Sequence, residues 1–259
     1  MPEAQESSAA LERSENHPVA KGLLGRGTEK PENWRPIALM PTIYKVYTSI
    51  WTRRINAITN VISPCQRGFQ TMDGCNDSIG VMRMCLDTAT TLNRNMAINW
   101  LDLTNAFGSV PHELISASLT QFGFPQSLVD IVSNLYDGAT TRVKTETEKT
   151  SPIPILAGVK QGDPISPTLF NVCLERVIRR HLRRSKGYKC VGTVKCLAFD
   201  DDFAIFANNK EELQAVLDVL GKDCRSVGLI FKPRKCAAII IENGIVDKYA
   251  KVEISVVGS

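Results

Sequence analysis

The sequence has few of the residues that usually build zinc sites or disulfide frameworks. It contains only 3 histidines, and its 8 cysteines include no Cys-x-x-Cys pair and no Cys/His group at metal-ligand spacing. No run of apolar residues is long enough to cross a membrane, and no N-terminal stretch resembles a secretory signal. These absences argue against a zinc module, a disulfide-rich secreted protein and a membrane protein. We expect reduced thiols, an intracellular location and no membrane partner.

The composition is that of a globular protein with a sizeable core. Hydrophobic residues make up 43% of the 259-residue chain and charged residues 22%, and this length allows one large domain or two small ones. The net charge of +4 fits a polyanionic partner without identifying one. Residues 1–30 are polar and show no sustained period, so we expect them to be disordered or an incomplete N-terminal segment.

Three adjacent carboxylates, Asp200, Asp201 and Asp202, lie between two short apolar runs that contain phenylalanine. Each run is typical of a buried strand, which places the three acids at the turn of a β-hairpin. Three like charges beside buried strands are costly unless something neutralises them. A divalent cation would do so, because Mg²⁺ prefers one or two carboxylates together with substrate phosphates. A solvated acidic turn is the alternative interpretation.

A fourth acid and an irregular loop extend this pattern. Asp102 lies near the end of an apolar strand predicted over 96–103, and a strand end holds a side chain rigidly enough to bind a metal. The glycines and prolines of residues 158–167 predict an irregular loop whose backbone can approach a ligand closely. Helical patterns alternate with hairpin strands along the rest of the chain, which predicts an α+β fold.

Basic side chains form two candidate contacts with nucleic acid. Arg67 is followed by Gly68 in a loop and could reach a phosphate, although a lone arginine of this kind is more often a surface residue. The helix predicted from Thr168 onward has a row of arginines on one face that is either solvated or binds a phosphate backbone. The arginines of that row are Arg176, Arg179, Arg180, Arg183 and Arg184.

Five short motifs follow one another in the chain. They are Asn33-Trp34-Arg35-Pro36-Ile37, Asp102 with Ala106-Phe107, Gln161-Gly162-Asp163-Pro164 with Ser166-Pro167, Phe199-x-Asp201-Asp202, and Gly228-Leu229 with Lys235-Cys236. In this order they resemble the reverse transcriptase domain of non-LTR (LINE-type) retrotransposons. The resemblance covers roughly residues 30–240, and the loop 158–167 and the acidic hairpin are its most specific parts.

The resemblance implies an α+β right-hand polymerase fold, with an antiparallel palm sheet backed by helices and with fingers before and between the palm segments. Fingers and palm would occupy residues 31–241, and residues 242–259 would be a C-terminal tail near the primer grip, with the thumb absent. The implied activity is RNA-directed DNA polymerase, which transfers a nucleotide from a dNTP to a primer 3′-hydroxyl. Its partners would be an RNA template, a DNA primer and a dNTP, and its cofactors two Mg²⁺ ions or, alternatively, Mn²⁺.

The resemblance also assigns roles to single residues. Asp102 and Asp201 would bind both metal ions, the backbone carbonyl of Leu103 would contact the nucleotide metal, and Asp202 would support the pair. Lys235 would protonate the pyrophosphate leaving group. The substrate-binding residues would be Phe107 as the steric gate against a ribose 2′-hydroxyl, Gln161 and Gly162 in the nucleotide pocket, and Arg67 on the triphosphate. For Phe107, a core aromatic is the alternative interpretation.

Two alternatives to this function stay open. A maturase-type reverse transcriptase would have the same fold together with an RNA-splicing domain. A degenerate, non-catalytic nucleic-acid-binding remnant is the other, because Asp200 stands where the family usually has a small or apolar residue. An active element would work on chromosomal DNA, so we expect the nucleus as its location.

Overall fold

The computed structural model describes residues 37–58, 61–70, 74–144, 148–247 and 252–254, together with the backbone alone of residues 13–20 and 34–36. The chain forms two compact units. Unit 1 comprises Met1–Thr59 and Phe107–Phe170, and unit 2 comprises Asn60–Ala106 and Asn171–Ser259.

The helices and strands alternate along the chain as the sequence predicts. In order they are β1 (Arg13–Ala20), β2 (Trp34–Leu39), α1 (Thr42–Asn56), α2 (Gly74–Thr91), β3 (Met96–Leu101), α3 (Ala106–Ser109), α4 (His112–Gln121), α5 (Gln126–Tyr136), β4 (Thr140–Val143), β5 (Ile153–Pro154), α6 (Ser166–Arg184), β6 (Tyr188–Lys189), β7 (Thr193–Val194), β8 (Cys196–Phe199), β9 (Asp202–Ala207), α7 (Lys210–Arg225), β10 (Ala237–Glu242) and β11 (Ile245–Asp247). The 3₁₀ turn Pro233–Lys235 precedes β10. In the part of the chain so described, no helix is both long and apolar enough to span a membrane.

Unit 2 is built on a five-stranded sheet in the order β11-β10-β3-β9-β8. Every neighbouring pair in this sheet is antiparallel, which confirms the predicted palm sheet. β3 is the central strand, and its sequence Met96–Leu101 is almost continuously buried. A strand that is covered on both faces needs such an apolar run.

Helices cover both faces of this sheet. Met96 and Ile98 of β3 pack with Cys85 and Ala89 of α2 in one buried cluster. Successive side chains of a strand point to opposite faces, and the intervening residue Ala97 is also fully buried. α7 packs against β3 and β9. This packing holds the ends of β3 and β9 rigidly, and the acidic residues lie at those ends.

Unit 1 contains a four-stranded sheet in the order β2-β1-β4-β5. β1 pairs antiparallel with β2 and parallel with β4. β1 lies inside the segment 1–30 that the sequence predicts to be poorly ordered, so the structure differs from that prediction over Arg13–Ala20. Partners distant in the chain supply its backbone hydrogen bonds, and a local sequence pattern cannot show them. The remainder of that prediction, residues 1–12 and 21–30, lies outside the described residues.

The predicted C-terminal tail, residues 242–259, adds one strand to the palm sheet. Ile245–Asp247 forms β11 and pairs with the end of β10. Asn243 has φ 49° and Gly244 has φ 80°, which are the positive values that a tight hairpin turn requires. Residues 248–251 and 255–259 of the tail lie outside the described part of the chain.

The eight cysteines of the chain form no disulfide in the structure. The Sγ atoms of Cys85 and Cys190 lie 3.5 Å apart. Burial raises the pKa of the Cys85 thiol to about 12, so Cys85 stays in its protonated, unreactive form.

Candidate active site

The three adjacent acids lie at a hairpin turn, as predicted. β8 and β9 pair antiparallel, and the last pair before the turn joins Phe199 and Asp202. Asp200 and Asp201 are therefore the two turn residues between the strands. Asp200 has φ 56°, a left-handed conformation that aspartate tolerates better than most residues.

Asp102 lies directly across the sheet from Asp202. The β3–β9 register pairs Leu101 with Phe203, so the next opposed positions are Asp102 and Asp202. Directly opposed side chains of an antiparallel pair project from the same face. Burial raises the pKa of Asp202, and the negative charge of Asp102 raises it further, whereas the nearby Lys235 ammonium lowers it. The fold thus brings together two carboxylates that are 100 positions apart in the chain.

Lys235 belongs to the same cluster. It ends the 3₁₀ turn Pro233–Lys235, and its Nζ lies 3.0 Å from Oδ2 of Asp102. The Lys232 N–H donates to the backbone carbonyl of Asp102 at 2.8 Å, which fixes this turn beside the end of β3. The side chains of Lys235 and Asp102 are 58% and 25% exposed, so the ion pair itself adds little to stability and is accessible to a ligand.

The backbone at Leu103 continues this arrangement. Leu103 forms an antiparallel bridge with Phe231, and hydrogen bonds on both sides of it join Thr104 N–H to the Ile230 carbonyl and Lys232 N–H to the Asp102 carbonyl. In such a pair the N–H and C=O of the central residue point away from its partner strand. The Leu103 carbonyl is therefore directed away from Phe231, as a backbone metal ligand would need to be.

The donor set suits a hard divalent cation. Asp102 and Asp202 are carboxylates whose like charges oppose each other, and a bound cation would relieve that repulsion. Among the residues described, no group of three or more His, Cys, Asp or Glu side chains forms a complete metal site. Mg²⁺ does not require one, because it is commonly held by one or two carboxylates plus substrate phosphates and water. The residues present therefore fit the metal chemistry that the family implies.

Asp201 and Asp200 form the outer part of the hairpin turn. Burial, together with the negative charges of Asp201 and then Asp202, raises the pKa of Asp200 to about 6. The resemblance assigns the leading metal-binding role to Asp201 and a supporting role to Asp202, whereas the strand register opposes Asp202 to Asp102. The division of roles between these two acids stays a prediction.

Arg67 lies beside the hairpin in unit 2. Its backbone N–H donates to the Ala198 carbonyl of β8 at 2.8 Å. Its guanidinium lies 3.5 Å from Oδ2 of Asp77, and its side chain is 22% exposed. Because this ion pair is long and partly exposed, Arg67 can exchange Asp77 for a phosphate at a small cost in free energy. The predicted contact with the triphosphate is thus compatible with the position of Arg67.

Phe107, Gln161 and Gly162 belong to unit 1. The Phe107 ring stacks on Phe170 with centroids 4.5 Å apart and planes 15° apart, and Phe107 stays half-buried. The Ala38 N–H donates to the Gln161 carbonyl at 2.7 Å, which anchors the loop 158–167 to β2. Gly162 has φ 103°, and a Cβ there would come within 2.9 Å of the Ala38 carbonyl oxygen, so only glycine fits.

A buried polar network that the sequence did not predict anchors the same loop. Asp163 is 3% exposed, and the Tyr44 hydroxyl donates to it at 3.1 Å. Burial raises the pKa of Asp163. Lys160 is 5% exposed, and its ammonium donates to the Leu135 carbonyl at 3.0 Å. The glycines and prolines of residues 158–167 indicated an irregular backbone. Nothing in the local sequence showed that the charged side chains of Lys160 and Asp163 face inward.

The arginine row of α6 is mostly engaged within unit 2. Arg179 bonds Glu175 at 2.9 Å and the Val61 carbonyl at 2.7 Å. Arg180 and Arg184 both pair with Asp223 of α7, at 3.3 Å and 3.0 Å. These bonds fix α6 against its neighbours. They favour an internal role for three of the five arginines over the phosphate-binding role that the sequence left open.

Comparison with known proteins identifies the family. The family described as "Reverse transcriptase (RNA-dependent DNA polymerase)" matches residues 26–258. The chain is 33% identical over 83% of its length to the Pol polyprotein of the type-2 retrotransposable element R2DM of Drosophila melanogaster. It is 30% identical over 88% of its length to the Pol polyprotein of the type-1 retrotransposable element R2 of Nasonia vitripennis. It spans about a fifth of these relatives, 20% and 22% of their respective lengths.

Solved structures show the same fold. An apo telomerase of Candida tropicalis truncated from its C-terminal domain superposes with a TM-score of 0.65 at 13% identity, over 92% of this chain and 55% of that one. At this identity the likeness establishes the fold alone, and the fold is the predicted α+β polymerase fold. The family match and the retrotransposon relatives go further: the chain belongs to the reverse transcriptase (RNA-dependent DNA polymerase) family, as a domain of the non-LTR retrotransposon type.

Proposed function

We propose that this chain is the polymerase core of a longer retrotransposon protein. It adds deoxynucleotides from dNTPs to a DNA primer on an RNA template, with Mg²⁺ or Mn²⁺ as the metal. The proposal includes action on chromosomal DNA and therefore a nuclear location. The observation that carries it is the meeting of Asp102, Asp202 and Lys235 at one end of the central strand pair, beside the turn residue Asp201.

The rigid sheet supports this chemistry. β3 and β9 are packed between helices, so the carboxylates at their ends keep their positions without help from a substrate. Divalent metal ions, when bound, would activate the primer 3′-hydroxyl and hold the triphosphate. Asp102, Asp201, Asp202 and the Leu103 carbonyl would supply the protein ligands. Lys235 presents an exposed ammonium within this cluster, where it would donate a proton to the pyrophosphate leaving group.

Residues outside the acidic cluster would select and orient the nucleotide. Arg67 would neutralise the triphosphate, and Gln161 with Gly162 would line the nucleotide pocket. Phe107, held by its stack on Phe170, would exclude a ribose 2′-hydroxyl by steric contact. A telomerase of Candida tropicalis with a similar fold has been solved in complex with a fragment of telomeric RNA, and this supports an RNA partner for the fold.

A non-catalytic nucleic-acid-binding remnant is the second candidate. Asp200 favours it, because this third carboxylate at the turn lies among like charges that raise its pKa. The two candidates differ in a single measurement. A polymerase extends a primer on an RNA template, whereas a remnant binds the primer–template duplex without extending it.

Primer extension on a homopolymer RNA template, with Mg²⁺ and separately with Mn²⁺, tests the proposal. We expect Asp102→Asn, Asp201→Asn and Asp202→Asn each to lower the extension rate by about a hundredfold or more, because each removes an anionic metal ligand. Asp218→Asn on the exposed part of α7 is the matched control and should extend at the wild-type rate.

Circular dichroism and thermal melting would show that each variant is folded. A folded Asp102→Asn protein that extends primer at the wild-type rate would remove Asp102 from the active site. The comparison of Asp201→Asn with Asp202→Asn then shows which of the two acids acts as the principal partner of Asp102.

A further inference from the structure

The side chain of Gln66 holds the tip of the acidic hairpin. Gln66 is 2% exposed and lies in unit 2, in the loop before α2. Its Oε1 accepts the backbone N–H groups of Gly68 at 2.9 Å and of Asp200 at 3.0 Å. Its Nε2 donates to the backbone carbonyl of Asp200 at 3.1 Å. One amide therefore satisfies both the donor and the acceptor of the Asp200 backbone.

The turn needs an external partner of this kind. Asp200 has φ 56°, a strained conformation for a residue with a side chain, and such conformations persist only where the surroundings fix them. The loop that carries Gln66 is itself joined to β8. The Ala198 N–H donates to the Cys65 carbonyl, and the Arg67 N–H donates to the Ala198 carbonyl, each at 2.8 Å. The backbone on both sides of Gln66 is therefore fixed, and this fixes the position from which its side-chain amide reaches Asp200.

Two further residues close the space around the turn. A Cβ at position 68 would collide with the carboxylate and the backbone nitrogen of Asp200, so Gly68 permits the close approach. Asn171 of α6 is 1% exposed, and its Nδ2 donates to the Gly68 carbonyl at 2.9 Å. We call Gln66, Gly68 and Asn171 the turn clamp.

We propose that Gln66 is a positioning residue for nucleotide addition. Through the turn clamp it sets the backbone of Asp200, and thereby the direction in which Asp201 and Asp202 present their carboxylates toward Asp102. This inference rests on the proposed function and assigns to it a residue whose side-chain hydrogen bonds go to the backbone of Gly68 and Asp200. Its bonds go to the turn that carries the acids, so its loss should affect the metal site more than the core.

Gln66→Met tests this inference in the full chain, because methionine has a similar length and no hydrogen-bonding amide. We expect kcat for dNTP addition to fall about tenfold or more, as a small displacement of reacting groups does. The KM for dNTP should change by less than about threefold, because the nucleotide-binding residues stay in place. The Mg²⁺ concentration for half-maximal rate should rise about tenfold, as for other residues that orient metal ligands.

Asn208→Ala is the matched control at the other end of the same strand. Asn208 directly follows β9, and its Nδ2 donates to the Gly187 carbonyl at 2.8 Å and to Glu212 at 2.9 Å. This variant should lower the melting temperature about as much as Gln66→Met while leaving kcat and the Mg²⁺ requirement unchanged. If Gln66→Met melts below the assay temperature, Gln66→Glu replaces it, since it keeps the two accepted bonds and loses the donated one.

Two measurements that need no activity separate this inference from the proposed function. Mn²⁺ affinity, followed by the electron paramagnetic resonance signal of free Mn²⁺, should weaken in Gln66→Met but not in Asn208→Ala. Amide hydrogen exchange at Gly68 and Asp200 should quicken in the same variant. Wild-type protein that fails to extend primer would contradict the proposed function alone. An unchanged Mn²⁺ affinity, or an unchanged kcat in an active protein, would overturn the role of Gln66.

Discussion

The ring of Phe107 stacks on a buried ring and is itself only half-buried. Its stack on the fully buried Phe170 sets the ring plane, while Phe107 itself keeps part of its surface exposed. A ring fixed in this way can exclude a substituent by contact, because it cannot turn aside.

Phe107→Val should therefore admit ribonucleotides. We expect the ratio of kcat/KM for dGTP over rGTP to fall about tenfold or more, because the smaller side chain leaves space for the 2′-hydroxyl. Phe122→Val, at another half-buried phenylalanine of unit 1, is the control and should keep the wild-type ratio. An unchanged ratio in Phe107→Val would show that Phe107 is a packing residue.

Asp200 is the residue whose substitution should improve the enzyme. Asparagine tolerates a positive φ as aspartate does, so Asp200→Asn removes the charge and keeps the turn. We expect a higher kcat/KM for dNTP addition, by about two- to tenfold, because a like charge beside Asp201 and Asp202 no longer competes for cations. Asp200→Ala removes the same charge but adds backbone strain, so it should gain less.

Steady-state primer extension over a range of Mg²⁺ concentrations measures this effect. If Asp200→Asn is equal to or slower than the wild type at every Mg²⁺ concentration, Asp200 is neutral or is itself a metal ligand. The assignment of Asp201 and Asp202 as the metal-binding pair would then need to be changed.

At the scale of residues, the local sequence predicted the charged residues of the site better than the neutral ones. Asp102 and the hairpin acids stood out because carboxylates next to apolar strands need a partner. Gln66 gave no such signal, since an uncharged amide in a loop is ordinary and its partner Asp200 lies 134 positions away. The inward charge of Asp163 was missed for the same reason, because Tyr44 lies 119 positions away.

At the scale of elements, the buried carboxylate of Glu175 joins α6 to Ser63, in the loop that carries Gln66 and Gly68. Glu175 is fully buried, and it accepts the backbone N–H of Ser63 at 2.9 Å and an Arg179 N–H at 2.9 Å. The Ser63 hydroxyl also donates to it. The same helix supplies Asn171 to the turn clamp, so α6 fixes both ends of the 63–68 segment.

Glu175 should make stability depend on pH in an unusual direction. Burial raises its pKa in the folded state, so between its unfolded pKa near 4.5 and the raised value the folded state binds more protons. The free energy of unfolding should then fall as the pH rises through that window, by about 1.4 kcal/mol per pH unit at most. Glu175→Gln lacks this effect, so its stability relative to the wild type should increase with pH across the window.

Urea denaturation at a series of pH values above 4 measures the difference between Glu175→Gln and the wild type. Other groups, including the buried His181, titrate equally in both proteins and cancel. Val219→Ala, at an exposed residue of α7, is the control: it changes no titratable group and should show a difference that is constant with pH. A constant difference for Glu175→Gln as well would contradict the raised pKa.

The predicted helices and strands agree with the structure where buried residues recur at a regular spacing. They differ from it where a strand pairs with strands far away in the chain. The helix predicted from Thr168 onward is present as α6, and its apolar residues such as Phe170 and Leu174 are buried. β1 was not predicted, because its partners β2 and β4 lie elsewhere in the chain.

At the scale of the whole molecule, motif order carried more information than any single motif. The family, the α+β fold and the retrotransposon type were all predicted from the sequence, and the comparisons confirm them. The division into two interleaved units was not predicted. Each unit consists of two separate chain segments, and local patterns indicate only which segments are structured, not which ones pack together.

The central strand of unit 2 has a consequence for how the protein folds. β3 pairs on one side with β9 and on the other with β10, and both partners are synthesised more than a hundred residues after it. During translation, the apolar sequence of β3 therefore has neither of its neighbours while all of Phe107–Phe170 is being made. An unpaired apolar strand is prone to self-association. The time between synthesis of β3 and of β9 is thus the stage at which a growing chain most needs a chaperone.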